Sequence, residues 1–348
     1  MKARPFRCFD SGKLRRVLIV SVAFAVCAAL GLLPGAGLVH SAANLPPIKI
    51  GAAGPYSGDL SKIGLDGLNA IKMAVEEANA AGGVRGRKIE IVEADDAGDS
   101  SKAILVAEKL AMDRAVLGVV GPMNSSTVEA ALPTYQRAGL AIISQSATKP
   151  SLTEVGYKVM HRICPRDDAQ GPASAKFVVD VLKAKNVYII DDKTAYGQGL
   201  SDEVEAALKA SGIKTVRSQI TLEDRDFSPI LTRVKVAKPD LGISVKFMGG
   251  DGLKEKDQLI AGSAGLAEGM YVTTIGRAIT EVQEAAEFIR KFEGKFGAMS
   301  VFSGQTYEAA NILIDAMRRA SADPSKLTRA LVMDALGKTA GYKGILGF

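Results

Sequence analysis

The sequence predicts an α/β fold of two doubly wound parallel-sheet lobes. Three observations carry this reading. Short apolar runs ending in Gly, Ser or Asp alternate with segments of helical period, which calls for parallel strands linked by helical crossovers. The alternation holds from Ile48 nearly to the end of a chain of 348 residues, long enough for two units of ordinary size. About half way, at "YKVMHRI" (157–163), a second series begins. In such folds ligands bind beyond the carboxyl ends of the strands, often between lobes.

The elements follow in order. "IKIGAAG" (48–54) is a short apolar strand ending in glycine. "GLDGLNAIKMAVEEANAAGG" (64–83) has helical period and a Gly-Gly stop. "KIEIVEAD" (88–95) alternates as a strand, and "SSKAILVAEKLAMD" (100–113) is a helix with a serine cap. "AVLGVVG" (115–121) is a buried strand. It leads to a helix over 125–139 that Pro133 bends or ends, and then to the strand "LAIISQSA" (140–147). The second series predicts strands at 157–163, 186–191, 214–221, 242–250 and 269–274. Its helices fall at 167–185, 196–212, 226–239 and near 253–261, followed by helical segments at 280–296, 304–320 and 325–336.

Composition narrows the function. Hydrophobic residues make up 47% and charged residues 24%, a globular balance. The net charge of +6 sits almost wholly in residues 1–43, so no basic stripe remains and nucleic acid is not an expected partner. That first segment reads as a secretory signal. Basic residues end at Arg15 and Arg16, an apolar run spans 17–33, Pro34 and Gly35 break it, and Ser41, Ala42 and Ala43 offer a cleavage site. Cleavage is placed after Ala43, with Ser41 as the alternative. A membrane anchor is the competing reading, against which the run is short and ends in Pro-Gly. Past the cut only Cys164 and His161 remain of the cysteines and histidines, so no internal disulfide and no His-rich metal site are expected. A hydrolase needs a base and would have only His161, which sits in a strand-like alternation, and no G-x-S-x-G elbow is present. No enzyme activity, no cofactor and no metal are therefore expected. "GAAGPYSGDLSKIG" follows a strand but lacks the G-x-G-x-x-G spacing, so it reads as a loop beside a cleft.

Four short stretches carry binding chemistry. "GPMNSSTVE" places Asn124, Ser125, Ser126 and Thr127 at a helix start, where free N–H groups attract an anion. The alternative is a plain N-cap made by Asn124 or Ser125. "SQSATKPSLT" ends the next strand with Ser146 and Thr148, or is simply a Ser/Thr-rich loop. "DDKTAYGQGL" offers Tyr196 as a cleft wall, or as loop packing. "FMGGDG" places Asp251 after a strand, facing a cationic ligand group or solvent. Together they suit a zwitterion with an apolar side chain.

These segments, with "GLNAIKMAVEEANAAGGVRGRKIEIVEADDAGDSSKA" and "DDAQGPASAKFV", resemble the periplasmic Leu/Ile/Val-binding proteins of branched-chain amino acid ABC transporters. The resemblance runs from about Ile48 to the end. It implies a type I periplasmic binding fold, a Venus flytrap whose lobes close on the solute. Residues 44–166 and 276–330 would form lobe 1, and 167–275 with 331–348 lobe 2. By this resemblance Ser125 binds the ligand carboxylate, and Ser146, Ala147 and Thr148 complete the carboxylate and ammonium contacts. Tyr196 lines the second lobe, and Asp251 binds the ammonium. Ile63 and Asn124 belong to the pocket wall. Ile63 stands where relatives often have a tyrosine, and Gly98 and Asn124 stand at the positions of a frequent disulfide. After "KPD" (238–240) roughly twenty residues are missing against the family pattern, about one strand–helix unit of the second lobe. The chain also ends at "GILGF", where the pattern continues. The implied partners are a small amino acid and a membrane permease, met by a monomer in the periplasm. Binding of an amide, urea-like or aromatic acid solute, and a decayed relative without binding, are the alternatives.

Overall fold

Five parallel strands form the main sheet of the computed structural model, in the order β2-β1-β3-β4-β5. The structure describes residues 45–237, 248–254, 263 and 267–347. The expected leader (1–43) lies outside these residues. So do the stretch 238–247, where the missing unit was expected, and most of the helix expected near 253–261.

The strands are β1 (Ile48–Gly54), β2 (Ile89–Asp95), β3 (Val116–Val120), β4 (Ile142–Ser144) and β5 (Met160–Arg162). Between them run α1 (Ser61–Ala80), α2 (Ser100–Met112) and α3 (Ser125–Ala138). Every residue of β3 is buried, as a central parallel strand covered on both faces must be. Along β1 the two-residue period sorts side chains: Ile48, Ile50 and Ala52 pack with Leu68, Ile71, Leu313 and Ile314, whereas Ala53 packs with Val106, Leu110 and Val119.

Local chemistry sets the helix ends. The expected serine cap of α2 is instead Asp99, whose carboxylate accepts from the Lys102 N–H at 2.8 Å, with Ser100 as the first helical residue. Asp99→Ala should destabilise the fold by about 1 kcal/mol, read from the midpoint of a urea melt. Pro133 does not end α3. The helix continues to Ala138 and closes at Gly139, whose φ of 57° is the left-handed cap conformation. Burial of Val128, Leu132 and Tyr135 outweighs the one backbone bond that the proline removes.

The strand expected to open the second series is β5, which pairs with β4 in the main sheet, so the series continues from α4 (Asp167–Asp180) through β6 (Asn186–Asp191), α5 (Ala195–Ala210), β7 (Lys214–Gln219) and α6 (Ser228–Ala237). Strands β8 (Met248–Gly249) and β9 (Tyr271–Val272) follow. β6 pairs with β7 and β8 with β9, both in parallel. Ala175, Val178, Ile189 and Leu208 form a small core between α4, β6 and α5.

Three further helices, α7 (Ala286–Phe296), α8 (Ser303–Ala320) and α9 (Arg329–Gly337), return to the main sheet. Here one expectation is corrected. Residues 331–348 were assigned to the second lobe, but Val332 and Leu336 of α9 join the apolar cluster of Ile48 and Leu313. The Ile345 N–H also bonds Glu308 of α8 at 2.8 Å. The i, i+4 apolar pair announces a helix but does not say which sheet it covers. The buried Arg329 fastens this end, donating to Val116 O at 2.8 Å, Asp113 O at 2.7 Å and Ala111 O at 3.1 Å.

Candidate functional site

β3 leaves the sheet through Gly121, whose φ of 100° favours glycine and whose added Cβ would lie 1.9 Å from Ala53 O. The chain therefore passes close over the end of β1 before α3 begins. Asn124 is the N-cap residue, yet it makes no side-chain cap bond, and its Oδ1 is buried without a partner. The neighbouring hydroxyls are engaged elsewhere. Thr127 donates to Asn124 O at 2.9 Å, and Ser126 Oγ accepts from Ala195 N, at the start of α5, at 3.1 Å. Ser125 is 2% exposed, and its Oγ accepts from Lys149 N at 3.3 Å. The plain-capping reading is thus not what the fold adopts. The first turn of α3 has no side-chain cap and remains able to receive an anion.

The loop after β4 lies against this helix start. Ser144 Oγ donates to Pro122 O at 2.7 Å and Ser146 Oγ to Met123 O at 3.0 Å, which ties the two loops together. Ala147 is fully buried, and its carbonyl accepts from Arg162 Nη1 at 2.9 Å. Thr148 differs from these. It is fully buried, and its Oγ1 has no partner in hydrogen-bond geometry.

Elements of the second series supply acids. Thr194 caps α5 through Gly197 N, which sets Tyr196 in the first turn. The Tyr196 hydroxyl donates to Asp251 Oδ1 at 2.7 Å. Gly250 makes room for it, since a Cβ there would stand 2.1 Å from the tyrosine oxygen. Asp251 opens a 3₁₀ turn (Asp251–Lys254) and is 3% exposed. Burial pushes its carboxyl above the usual range, against hydrogen bonding from Tyr196 and Gln170. Asp167, the first residue of α4, was not singled out from the sequence. Its main-chain N–H bonds Thr148 O at 3.1 Å, it is 0% exposed, and neither carboxyl oxygen has a partner. Burial pushes its carboxyl up to about 6; the Thr148 hydroxyl opposes this and the Asp251 charge adds to it. The only signal was the pair of aspartates in "DDAQGP", an ordinary pattern at a helix start.

An apolar cluster completes the surroundings: Ile63 of α1 with Met123, Cys164, Ile275 and Phe302. Cys164 joins it to the acids. Burial pushes its thiol up to about 12, and the charges of Asp251 and Asp167 add to the effect. A cavity of about 410 Å³ adjoins through Gln170 and Ile275, between α4 and β9. His161 lies apart in β5, paired with Ile143. Its Nε2 is buried without a partner, so no serine hydroxyl bonds it there. The arrangement therefore offers N–H groups at one helix start, buried carboxylates tied to the Thr148 loop through Asp167, and an apolar cluster that Cys164 joins to them.

A profile of the periplasmic binding protein family matches residues 47–254. The chain belongs to that family. An amino acid binding protein of Pseudomonas aeruginosa is 31% identical over 346 residues, covering 92% of this chain and 90% of that one. A leucine-, isoleucine-, valine-, threonine- and alanine-binding protein of the same organism is 32% identical over 333 residues, with 89% and 88% covered. Among solved structures, the branched-chain amino acid transporter substrate binding protein of Streptococcus pneumoniae, in complex with isoleucine, is similar with a TM-score of 0.75. It is 27% identical, and the match covers 86% of this chain and 90% of that one. The type I periplasmic binding fold is thus established.

Proposed function

We propose that the protein captures a branched-chain amino acid, or a close relative of one, outside the cytoplasm and hands it to an ABC permease. The carrying observation is the presence of two features. The side-chain-uncapped start of α3 at Ser125 suits a carboxylate, and the buried Asp251, held by Tyr196, suits an ammonium group. The cluster of Ile63, Met123 and Phe302 suits an apolar side chain. The amino-acid-binding names of the relatives support the same reading. A neutral amide or an aromatic acid would leave Asp251 buried without a cation, which is costly. Lobe closure on the solute would create the surface a permease reads. The signal segment would export the chain, which would act as a monomer and perform no chemistry. The missing unit after Asp240 would remove a strand and helix without removing the residues named here.

A thermal-shift scan of the purified protein tests this. A ligand bound only by the folded state stabilises it by about 2.7 kcal/mol at a hundredfold excess over Kd. Leucine, isoleucine or valine should therefore raise the melting temperature. A cooperative melt unmoved by all three would overturn the proposal.

A further inference from the structure

We propose that Asp167 is a second carboxylate at the amino end of the cleft, sharing the solute's ammonium group with Asp251 and Thr148. The assignment rests on the amino-acid reading above. Buried polar atoms in folded proteins are almost always bonded, and a buried carboxylate with no partner is costly. Asp167 has both oxygens in that state, and so has the Oγ1 of Thr148, to whose carbonyl the Asp167 main chain is bonded. Groups from several neighbouring elements act on Asp167. They are Thr148 after β4, Arg162 of β5, Cys164, Glu203 and Tyr196 of α5, and Asp251. Arg162, the cation among them, gives its N–H groups to Ala147 O, Lys149 O, Pro150 O and Thr153 Oγ1. On the α5 side Gly199 adds no side chain; a Cβ there would already stand 3.2 Å from Asp167 Oδ2.

A primary ammonium carries three N–H donors and no acceptor. Asp251, Thr148 and Asp167 offer three acceptors; Asp251 already receives the Tyr196 hydroxyl and the Gln170 amide, whereas the Asp167 oxygens have only the Thr148 hydroxyl nearby, outside hydrogen-bond geometry. The site therefore selects a free primary amine and discriminates against solutes that lack one. The pH dependence has a definite sign. Burial raises the Asp167 carboxyl to about 6, and a bound ammonium favours its ionised form. Below that pH a proton must leave for the solute to bind, so affinity falls as pH falls.

Calorimetric titration with L-leucine tests this in the wild type and in Asp167→Asn. Wild-type affinity should fall about tenfold from neutral pH to about pH 5. Asp167→Asn should bind at least about tenfold more weakly at neutral pH, with a flatter pH profile. Binding by Asp167→Asn with wild-type affinity and wild-type pH profile would overturn the assignment and leave the amino-acid reading standing. A wild type that binds no leucine, isoleucine or valine would overturn both. Should the variant fail to fold, the wild type still decides: a leucine affinity flat over this range contradicts the assignment.

Discussion

Asp251→Asn is expected to weaken leucine binding by about 2–3 kcal/mol while leaving the fold intact. The asparagine keeps the volume of the side chain and can still accept from the Tyr196 hydroxyl, so the contact that shapes the loop survives. What it loses is the negative charge opposite the ammonium group. At a residue only 3% exposed, water screens little of that loss. Ser125→Ala should cost less, about 1–2 kcal/mol, because the main-chain N–H groups of the α3 start remain. Calorimetry at neutral pH reads both. Wild-type affinity in either variant would remove that residue from the site.

Arg329→Ala should lower stability by about 2–4 kcal/mol. The guanidinium is buried and donates to main-chain carbonyls at three places: the end of α2 (Leu110, Ala111), Asp113 and Val116 at the entry to β3, and Ala138 at the end of α3. A cation at two helix carboxyl ends also meets the negative poles of both. Removing it orphans these carbonyls under the α9 helix, where water reaches them poorly. Urea denaturation reads the loss. Leucine affinity should stay unchanged in the folded variant, since Arg329 holds the far end of α3 from Ser125. A variant as stable as the wild type would mean that the clamp contributes nothing.

The main sheet was legible in the sequence because its strands are short apolar runs, each closed by a glycine or a polar residue. β1, β2 and β3 lie within a residue or so of their expected bounds. β4 is shorter than expected: only Ile142–Ser144 pair, and the following "QSAT" forms the site loop. The second series was harder. Its strands leave apolar residues exposed, such as Ile190 and Val216, so burial period is a weaker guide there. The side of the molecule taken by 331–347 depends on which apolar cluster has room, and the local pattern does not encode that. At the site, residue types were readable and their partners were not. Nothing in "NSST" distinguishes a serine that caps its own helix from one that leaves the helix start uncapped. Nothing in "DDAQGP" separates an aspartate at a solvated helix start from one buried against Thr148.

A crystal structure with L-leucine bound tests the central claim most directly. The expected density places the carboxylate on the first turn of α3 at Ser125, the ammonium within hydrogen-bond reach of Asp251, and the side chain against Ile63 and Phe302. Leucine seated instead in the cavity beside Phe177 and Tyr271, or bound with its ammonium turned away from Asp251, would contradict it.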